Sequence, residues 1–369
     1  DWSSDVCSSD LSDATGILTS GSTGDPRLCL HSLGNHVYSA LGSNENVIFR
    51  PGDRWLLSLP LYHVGGLAIV FRAAIAGAAV AIADPEQDLS DSITNLRITH
   101  CSMVPTQLHR YLHSGGRRET LSALLVSGAA APPALIAAAA ELGLPLFTSY
   151  GLTEMASQVT TTEPGAPLTR LFTSGGLLSH RELQLDAEGE ILVRGDTLCL
   201  GYLEDGRVSP VSGADGWYRT GDIGTLDPDG YLKVTGRKDN MFVSGGENIQ
   251  PELIERALIE FPGIAEAVVV AVPDEEFGAR PFAFVTFDER EPRAFDPGSR
   301  LIRDYIMLAG AMADTPAQVK TMLKDKLPRH AIPVRFAIIP PAARKGVKVS
   351  RAVLTDLARH YYRPEKPTT

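Results

Sequence analysis

Short apolar runs alternate with amphipathic helical patterns along the first half of the chain, and this alternation limits the fold more than any other feature. Patterns typical of helices occupy Leu67–Ala76, Leu89–Leu96, Thr106–His113 and Ala134–Leu142. Runs of strand length flank them at Ala14–Thr19, Trp55–Leu59, Ala78–Ala83, Thr99–Met103, Ala123–Ser127 and Leu146–Ser149. Strands that alternate with helices form parallel sheets with helical crossovers, so we expect an α/β fold whose large domain has mainly parallel sheets.

From about Arg181 the pattern changes to short strands separated by Gly/Asp turns, which predicts a small β-rich, antiparallel subdomain. Its strands are expected at Arg181–Leu185, Glu190–Arg194 and Tyr231–Thr235. Beyond residues 236–240, Pro251 opens a helix, and a compact α+β domain is expected. Its other elements are strands at Ala267–Val272, Phe282–Phe287 and Val334–Ile339, a helix at Gln318–Leu327 and a terminal helix.

The predicted order is a non-native tail at 1–11, a large domain at 12–236, a boundary segment at 237–240 and a small domain at 241–369. The tail is predicted because these residues are rich in Ser and Asp and show no periodicity.

The charge and the cysteines exclude several classes of protein. The 369 residues include 34 Lys and Arg against 44 Asp and Glu, so the formal net charge is −10. Non-specific nucleic-acid binding needs a positive surface, and it is therefore disfavoured. Four scattered cysteines without a C-x-x-C pair indicate neither a zinc site nor a disulfide framework, which fits a cytoplasmic protein. The most apolar stretch, Val64–Ala83, contains Arg72 and several glycines, so we expect no membrane span.

A Gly/Ser-rich loop, TSGSTGDPR, follows the first predicted strand. Glycines let the backbone approach a polyphosphate closely, while hydroxyls, N–H groups and a cation supply its partners. No Lys-Ser or Lys-Thr pair closes the loop, so it differs from the kinase-type phosphate loop. On its own the loop leaves a flexible polar turn open as the alternative. The candidate phosphate-binding residues are Thr19, Ser20, Gly21, Ser22, Thr23, Gly24 and Arg27.

Five further motifs follow in order, and together with the loop they carry a family resemblance. They read PLYHVGG at 60–66, SYGLTE at 149–154, YRTGD at 218–222, GRKD at 236–239 and VKVSR at 347–351. The chain resembles the adenylate-forming superfamily of acyl-CoA synthetases, luciferases and peptide-synthetase adenylation domains. The runs YGLTEMAS, DNMFVSGGENIQP, EFGARP and GVKVSR are similar to those of the o-succinylbenzoate–CoA ligases of menaquinone biosynthesis.

The resemblance implies a two-step, AMP-forming acid–thiol ligase that uses ATP, Mg²⁺ and CoA with a small carboxylic acid. The carboxylate attacks the α-phosphate of ATP and releases pyrophosphate; the CoA thiol then attacks the acyl-adenylate and releases AMP. o-Succinylbenzoate is the expected acid. Another aryl- or acyl-CoA synthetase, a carrier-loading adenylation domain and a catalytically silent nucleotide-binding fragment are the alternatives.

The resemblance also assigns the phosphate and metal contacts. The loop residues match the segment that holds the β- and γ-phosphates, and Arg27 stands where family members carry Lys. The charge is kept, but a planar guanidinium has a different geometry from an ammonium group. Thr153 and Glu154 match the phosphate-contacting hydroxyl and the Mg²⁺ ligand. Taken alone, they also suit a helix N-cap with an acidic first turn.

The adenosine contacts follow in the same way. Asp222 matches the carboxylate that accepts both ribose hydroxyls, and Arg237 matches a neighbouring ribose contact. Without the family pattern, Asp222 would be a turn residue and the adenine-stacking tyrosine a core residue. The adenine is expected between an aromatic face and a strip of small residues, namely Tyr150 with Gly151, and Gly128, Ala129 and Ala130.

Three residues are expected near the acyl group. His63 matches an aromatic or His position beside the carboxylate, and Lys348, preferred to Lys345, matches the C-terminal lysine that contacts the carboxylate and α-phosphate. A structural His and a solvated Lys are the alternatives. Arg72 is predicted to hold the second carboxylate of o-succinylbenzoate, because a buried carboxylate needs a cation or several donors. A side chain that reaches the surface is the alternative for Arg72.

The remaining expectations concern domain rotation and completeness. Asp239 matches the hinge, placed at 237–240, about which the mobile small domain rotates between the two half-reactions. Ser244, Gly245 and Gly246 resemble the loop that then lines the pantetheine tunnel. Superfamily members carry a further subdomain upstream of the phosphate loop, so the N-terminal part of the large domain is expected to be missing. Exposed apolar surface would then favour a homo-oligomer.

Overall fold

The computed structural model describes residues 13–20, 26–84, 86–118, 120–261, 263–287, 302–304, 306, 315, 317–345 and 348–362. At 13, 14, 20, 26, 345 and 348 it describes the backbone alone. The chain divides into two compact units between Val234 and Thr235.

The first unit begins with a β-hairpin and continues as alternating helices and strands. Up to its middle the elements are β1 (Asp13–Ser20), β2 (Pro26–Ser32), α1 (Leu33–Asn46), β3 (Arg54–Leu56), α2 (Val64–Ala76), β4 (Ala79–Ala81), α3 (Leu89–Asn95), β5 (His100–Met103), α4 (Pro105–His113), β6 (Ala123–Val126), α5 (Pro133–Glu141), β7 (Leu146–Leu152) and β8 (Ser157–Thr161). They are followed by α6 (Leu168–Leu171), β9 (Gly176–Leu177), β10 (Glu182–Leu185), β11 (Glu190–Arg194), β12 (Gly201–Glu204), β13 (Arg207–Ser209), β14 (Tyr218–Leu226) and β15 (Leu232–Arg237), whose last three residues belong to the second unit.

The central sheet has the order β4-β3-β5-β6-β7-β8-β9. The pairs from β4 to β7 are parallel, and β8 and β9 are antiparallel additions. Helices α2 to α5 supply the crossovers, so the α/β class predicted from the alternation is confirmed. The chain runs from β3 to β4 in one direction and to β5 in the other, which makes the carboxyl ends of β3 and β5 a switch point where ligands commonly bind.

Two antiparallel sheets complete this unit. The order β10-β11-β14-β15 is the predicted β-rich subdomain. The other sheet, β1-β2-β12-β13, was not predicted. The sequence predicted its first strand, β1, but assigned that strand to a parallel sheet. Ser20 pairs with Pro26 in β1 and β2, so the predicted phosphate loop joins the two strands of a hairpin.

Helix α1 was also missed, because its sequence LGNHVYSALGSNEN is rich in weak helix formers. Its buried face consists mostly of small or polar residues that bond to distant backbone. Asn35 donates to the carbonyls of Asp196 and Leu198, and Ser39 donates to that of Ala156 at 2.7 Å. Tertiary contacts therefore stabilise this helix, which packs against β8.

The second unit is the predicted α+β domain. Its elements are β16 (Phe242–Ser244), β17 (Glu247–Ile249), α7 (Pro251–Ile259), β18 (Ile264–Asp274), β19 (Gly278–Phe287), α8 (Ala317–Leu323), β20 (Arg335–Ile338), β21 (Arg344–Lys345), β22 (Lys348–Val349) and α9 (Arg351–Tyr361). The sheet β18-β19-β20 separates two cores: α7 and α8 pack on one face, around Leu258 and Phe336, and α9 packs on the other, around Phe284 and Leu354. Within the described residues, no helix is both long and apolar enough to cross a bilayer.

Candidate active site

The carboxyl ends of the parallel strands bring several predicted site residues to one edge of the central sheet. His63 follows β3, the strip Gly128–Ala130 follows β6, and the run Tyr150–Glu154 lies at the end of β7. The strip is exposed, and Gly128 adopts φ +87°, a conformation that favours glycine. This edge is therefore the candidate nucleotide site.

Glu154 is the most buried carboxylate at this edge, with 8% of its surface exposed. The Tyr202 hydroxyl donates to Glu154 Oε1 at 2.6 Å and lies 3.2 Å from the hydroxyl of Tyr218. Because the single Tyr202 proton serves Glu154, Tyr218 donates to Tyr202. Burial first, and then the Glu154 charge, raise the pKa of both phenols well above their usual range, so both remain donors.

The turn that presents Glu154 depends on unusual backbone. Residues Thr153–Met155 form a single 3-10 turn that begins after Leu152, and Ala156 (φ +50°) and Ser157 (φ +117°) then adopt positive φ. A side chain at Gly151 would meet the Ser157 carbonyl oxygen at 2.2 Å, so glycine is required there. Thr153 lies inside the turn and no α-helix follows it. The N-cap alternative for Thr153 is therefore wrong, whereas Glu154 does lie in the first turn of this 3-10 segment.

A buried histidine supports the same turn. His31 Nε2 donates to the Thr153 carbonyl at 2.7 Å, and its ring centroid lies 5.0 Å from that of His36. Burial lowers the pKa of His31, and it lowers the pKa of His36 to about 3. Both rings are therefore neutral at physiological pH.

The predicted adenine and ribose residues contact each other. The Tyr150 hydroxyl donates to Asp222 Oδ2 at 2.6 Å, which joins the end of β7 to β14. The Asp222 N–H donates to Thr220 Oγ1 at 3.0 Å. Asp222 lies within β14, and Tyr150 orients its carboxylate.

The phosphate loop itself, Gly21–Gly24, lies outside the described residues, and so does the side chain of Ser20. On the described flanks, Thr19 Oγ1 donates to the Arg27 carbonyl at 3.4 Å. The Arg27 guanidinium lies over the ring of Tyr202, with Cζ 4.0 Å from the centroid. The side chain of Tyr202 thus contacts both the Arg27 guanidinium and the Glu154 carboxylate.

Arg72 is 1% exposed, so the surface-reaching alternative is wrong. Its guanidinium donates to Gln158 Oε1 at 2.5 Å and to Ser157 Oγ at 3.3 Å, directly after the Glu154 turn. Burial first, and then the nearby Arg181, lower its pKa to about 9. Among the described residues its Nε has no hydrogen-bond partner and no carboxylate pairs with it.

His63 and the second-unit residues complete the set. His63 is exposed at the start of α2, with its ring 4.6 Å from that of Tyr62, which does not support a buried structural role. Arg237 Nη2 donates to Asp239 Oδ2 at 3.0 Å, so the predicted ribose contact and hinge residue are paired. The side chain of Lys348 lies outside the described residues, and its backbone pairs with Lys345.

The predicted pantetheine loop is the tight turn of a β-hairpin, with two residues between the paired positions Ser244 and Glu247. Ser244 pairs with Glu247 across the turn, and Gly245 (φ +59°) and Gly246 (φ +87°) occupy a type I′ turn. A side chain at Gly245 would meet Phe277 at 2.8 Å, whereas Gly246 faces open space.

The residues fit a magnesium ion held partly by substrate. The described residues contain no group of three His, Cys, Asp or Glu that could hold a metal by themselves. Mg²⁺ is, however, commonly held by one or two carboxylates together with substrate phosphates. Glu154 supplies such a carboxylate beside the phosphate-loop strand.

Sequence reasoning missed Tyr202 and gave no role to Tyr218, His31 or Arg181. Arg181 is 5% exposed and donates to the Gln158 and Ser39 carbonyls, which places a second guanidinium near Arg72. An arginine at the start of a predicted strand gives no signal of burial. Tyr218 belonged to a recognised motif, but its partner lies 16 residues away on another strand.

The chain matches two family models: AMP-binding enzyme over residues 5–203, and AMP-binding enzyme C-terminal domain over 253–346. The first match begins inside the segment 1–11, whose origin stays a prediction. The 2-succinylbenzoate–CoA ligase of Escherichia coli is 36% identical over 340 residues, which are 92% of this chain and 68% of that protein. The Listeria monocytogenes ligase is 36% identical over 293 residues, 77% of this chain and 63% of that protein. The chain thus spans about two thirds of the length of these relatives.

Solved structures of Bacillus subtilis MenE are similar as well. The complex with the acyl-adenylate intermediate OSB-AMP has a TM-score of 0.79 and 30% identity, and the match covers 94% of this chain and 70% of that one. The complex with ATP and magnesium ion has a TM-score of 0.76 and 31% identity over 89% and 66%. Both family models and these relatives lead to one conclusion: the chain belongs to the AMP-binding, adenylate-forming enzyme family.

Proposed function

We propose that the protein is an AMP-forming acid–CoA ligase that converts o-succinylbenzoate to o-succinylbenzoyl-CoA. One observation carries the proposal: the residues expected to bind adenine, ribose and metal gather at one sheet edge, where Tyr150 bonds Asp222 and Glu154 lies buried beside the phosphate-loop strand. The similarity to 2-succinylbenzoate–CoA ligases supports the choice of acid. About a third of the length of these relatives lies outside the match, so the activity assigned here is that of the whole protein.

The first half-reaction brings two anions together, and cations must offset their repulsion. Arg27 and Lys348 are the proposed cations of this chain, at the phosphate loop and at the attacking carboxylate. Mg²⁺, when bound through Glu154 and the phosphates, would neutralise further charge. Asp222 would accept the ribose hydroxyls in the position that Tyr150 fixes, and the small strip Gly128–Ala130 would leave room for adenine.

Acid selection is proposed to depend on Arg72. Its guanidinium is removed from water, its Nε is unpaired among the described residues, and Gln158 and Ser157 fix its orientation. A buried cation without a carboxylate partner suits the second, unactivated carboxylate of the substrate. Arg72→Leu should raise KM for o-succinylbenzoate much more than for a matching monoacid, and Arg72→Lys should have a smaller effect. Equal changes for both acids would contradict the assignment.

Pyrophosphate release tests the function directly. We expect release on adding ATP, Mg²⁺ and o-succinylbenzoate, and thioester and AMP once CoA is added. Release with other acids alone would favour another aryl- or acyl-CoA synthetase. Nucleotide binding without release, with any acid, would favour the silent fragment.

The two half-reactions are proposed to use different parts of the second unit. Lys348→Ala should suppress adenylation and spare thioester formation from supplied acyl-AMP. Gly246→Leu should do the reverse, although its positive φ means that backbone strain adds to the blocked space. Gly246→Asn tolerates that conformation and is the matched control.

Asp239→Pro should impair the second step by fixing φ at the proposed hinge. Because Asp239 also pairs with Arg237, Asp239→Ala separates loss of the pair from loss of rotation. Parallel loss of both steps in Lys348→Ala, Gly246→Leu and Asp239→Pro, with folding intact, would count against domain alternation.

A further inference from the structure

Glu154 is oriented by groups that come from three other strands. Its Oε1 accepts from Tyr202 on β12, and Tyr202 accepts from Tyr218 on β14. Arg27 on β2 covers the ring of Tyr202. The candidate metal ligand is thereby connected through one side chain to the strand that carries the phosphate loop.

The register of β2 and β12 creates this connection. Cys29 pairs with Tyr202 in the antiparallel ladder, and Arg27 lies two residues away on the same face. Such diagonal neighbours are within reach of long and aromatic side chains. A guanidinium is planar and stacks on an aromatic face, whereas an ammonium group is a compact, strongly hydrated charge. The arginine at position 27 therefore makes a contact that lysine would make less well.

The Tyr202 hydroxyl and the Tyr202 ring have separate roles. The ring packs against Cys29 and Cys199 in a small buried cluster. Among the described residues, the hydrogen-bond partners of the hydroxyl are the Glu154 carboxylate and the Tyr218 phenol. Replacement by phenylalanine therefore keeps the packing and removes the donor to Glu154.

We propose that Tyr202 is a positioning residue for the metal: its hydroxyl fixes the Glu154 carboxylate so that the other oxygen, Oε2, is presented to the ion. Arg27 in turn holds the Tyr202 ring in place. This inference rests on the proposed role of Glu154 as the Mg²⁺ ligand. It adds Tyr202, and the stacking of Arg27, to the residues that determine metal affinity.

The test measures metal affinity apart from turnover, with Mn²⁺ and ATP as the probe and electron paramagnetic resonance as the readout. Tyr202→Phe should weaken Mn²⁺ binding in the presence of ATP by about 10- to 100-fold, the usual effect of removing a residue that orients a metal ligand. ATP affinity without metal should stay unchanged. The Mg²⁺ concentration needed for half-maximal pyrophosphate release should rise in parallel.

The chain contains a matched control. Tyr231 donates to Glu163 Oε2 at 2.5 Å, and Arg170 lies over its ring at 4.0 Å, a similar arrangement elsewhere in the first unit. Tyr231→Phe should leave Mn²⁺ affinity unchanged. Arg27→Lys keeps the charge and loses the stacking, so a loss of about threefold or more is expected; this variant also serves if Tyr202→Phe fails to fold.

Two results would overturn the inference. One is unchanged Mn²⁺ affinity in Tyr202→Phe; the other is an equal loss of ATP affinity with and without metal, which would indicate a structural role only. Glu154→Gln separates this failure from that of the proposed function. If Glu154→Gln weakens Mn²⁺ binding and Tyr202→Phe does not, only the positioning role is lost. If neither does, Glu154 is not the ligand.

Discussion

The first unit contains two Arg–Tyr–Glu groups with similar local geometry and different surroundings. In the inner group, Arg27, Tyr202 and Glu154, the carboxylate is 8% exposed. In the outer group, Arg170 also pairs with Asp227 at 2.7 Å and with Asp229, whose side chain is 66% exposed. The outer group is a solvated ion-pair network. The inner group holds a buried carboxylate, and charge interactions are stronger in a buried environment than in water.

The comparison teaches that contact geometry alone does not mark a functional site. An arginine over a tyrosine that donates to a glutamate occurs in both places. The inner group differs because its carboxylate is buried beside the phosphate-loop strand and because Arg27 has no carboxylate partner among the described residues. The following predictions test whether that difference has functional consequences.

The largest effect is expected from replacing Glu154, with the same change at Glu163 as the comparison. Glu154→Gln should lower the rate of pyrophosphate release by about 100-fold or more and raise the Mg²⁺ requirement, because a neutral amide supplies no charge for the ion. Glu163→Gln should leave both within about twofold. Rates at several Mg²⁺ concentrations check this. Unchanged metal dependence in Glu154→Gln would remove the functional distinction between the two groups.

A smaller effect, on the free energy of unfolding, is expected when the pH is lowered, because acid protonates the buried histidines near the inner group. Burial lowers the pKa of His36 to about 3, below the ordinary 6.5 of the unfolded chain. The unfolded state therefore binds more protons below pH 6.5, so the stability from the neutral ring is complete above that pH and is lost as pH falls toward 3. At pH 5 the loss is about 2 kcal/mol in the free energy of unfolding.

Urea unfolding between pH 7.5 and 5 measures this loss. His36→Gln should flatten the pH dependence, since the variant has one titrating group fewer. His113→Gln, at an exposed position, should keep the wild-type slope. The same slope in all three proteins would show that His36 does not titrate as the buried site requires.

The smallest effect is expected in the outer group. Asp229→Asn should change the free energy of unfolding by about 0.5 kcal/mol or less, because exposed ion pairs contribute little. Thermal or urea unfolding at low and moderate salt provides the measurement. A loss above about 1.5 kcal/mol would mean that the outer group stabilises the fold more than exposed ion pairs normally do.

Much of the fold could be predicted because apolar period and strand length are local properties. The predicted strands from Trp55 to Ser149 all appear in the central sheet, and the β-rich and α+β regions follow in the predicted order. β2 was missed because only its pairing with β1 and β12 reveals it. α1 was missed because glycine, serine and asparagine argue against a helix, and contacts far along the chain overrule them.

The candidate site was predictable where motifs carry it, and not where partners come from distant strands. Glu154, Asp222 and Tyr150 lie in recognised motifs. The contact between Tyr150 and Asp222 spans 72 residues and that between Tyr202 and Glu154 spans 48, and no spacing rule encodes either. The apolar neighbours of Arg72 left both burial and a surface-reaching side chain open; its polar partners, Gln158 and Ser157, became visible only in the fold.

The polar buried face of α1 has a consequence for the order in which parts of the chain fold. Asn35 bonds carbonyls 161 and 163 residues ahead of it, and Ser39 and Ser43 bond partners 117 and 115 residues ahead. A helix with so few apolar contacts of its own gains little until those partners exist, and closing such long loops is slow. We therefore expect α1 to be a late-forming segment, whose amides acquire protection from hydrogen exchange only after β8 and the 196–198 segment are in place.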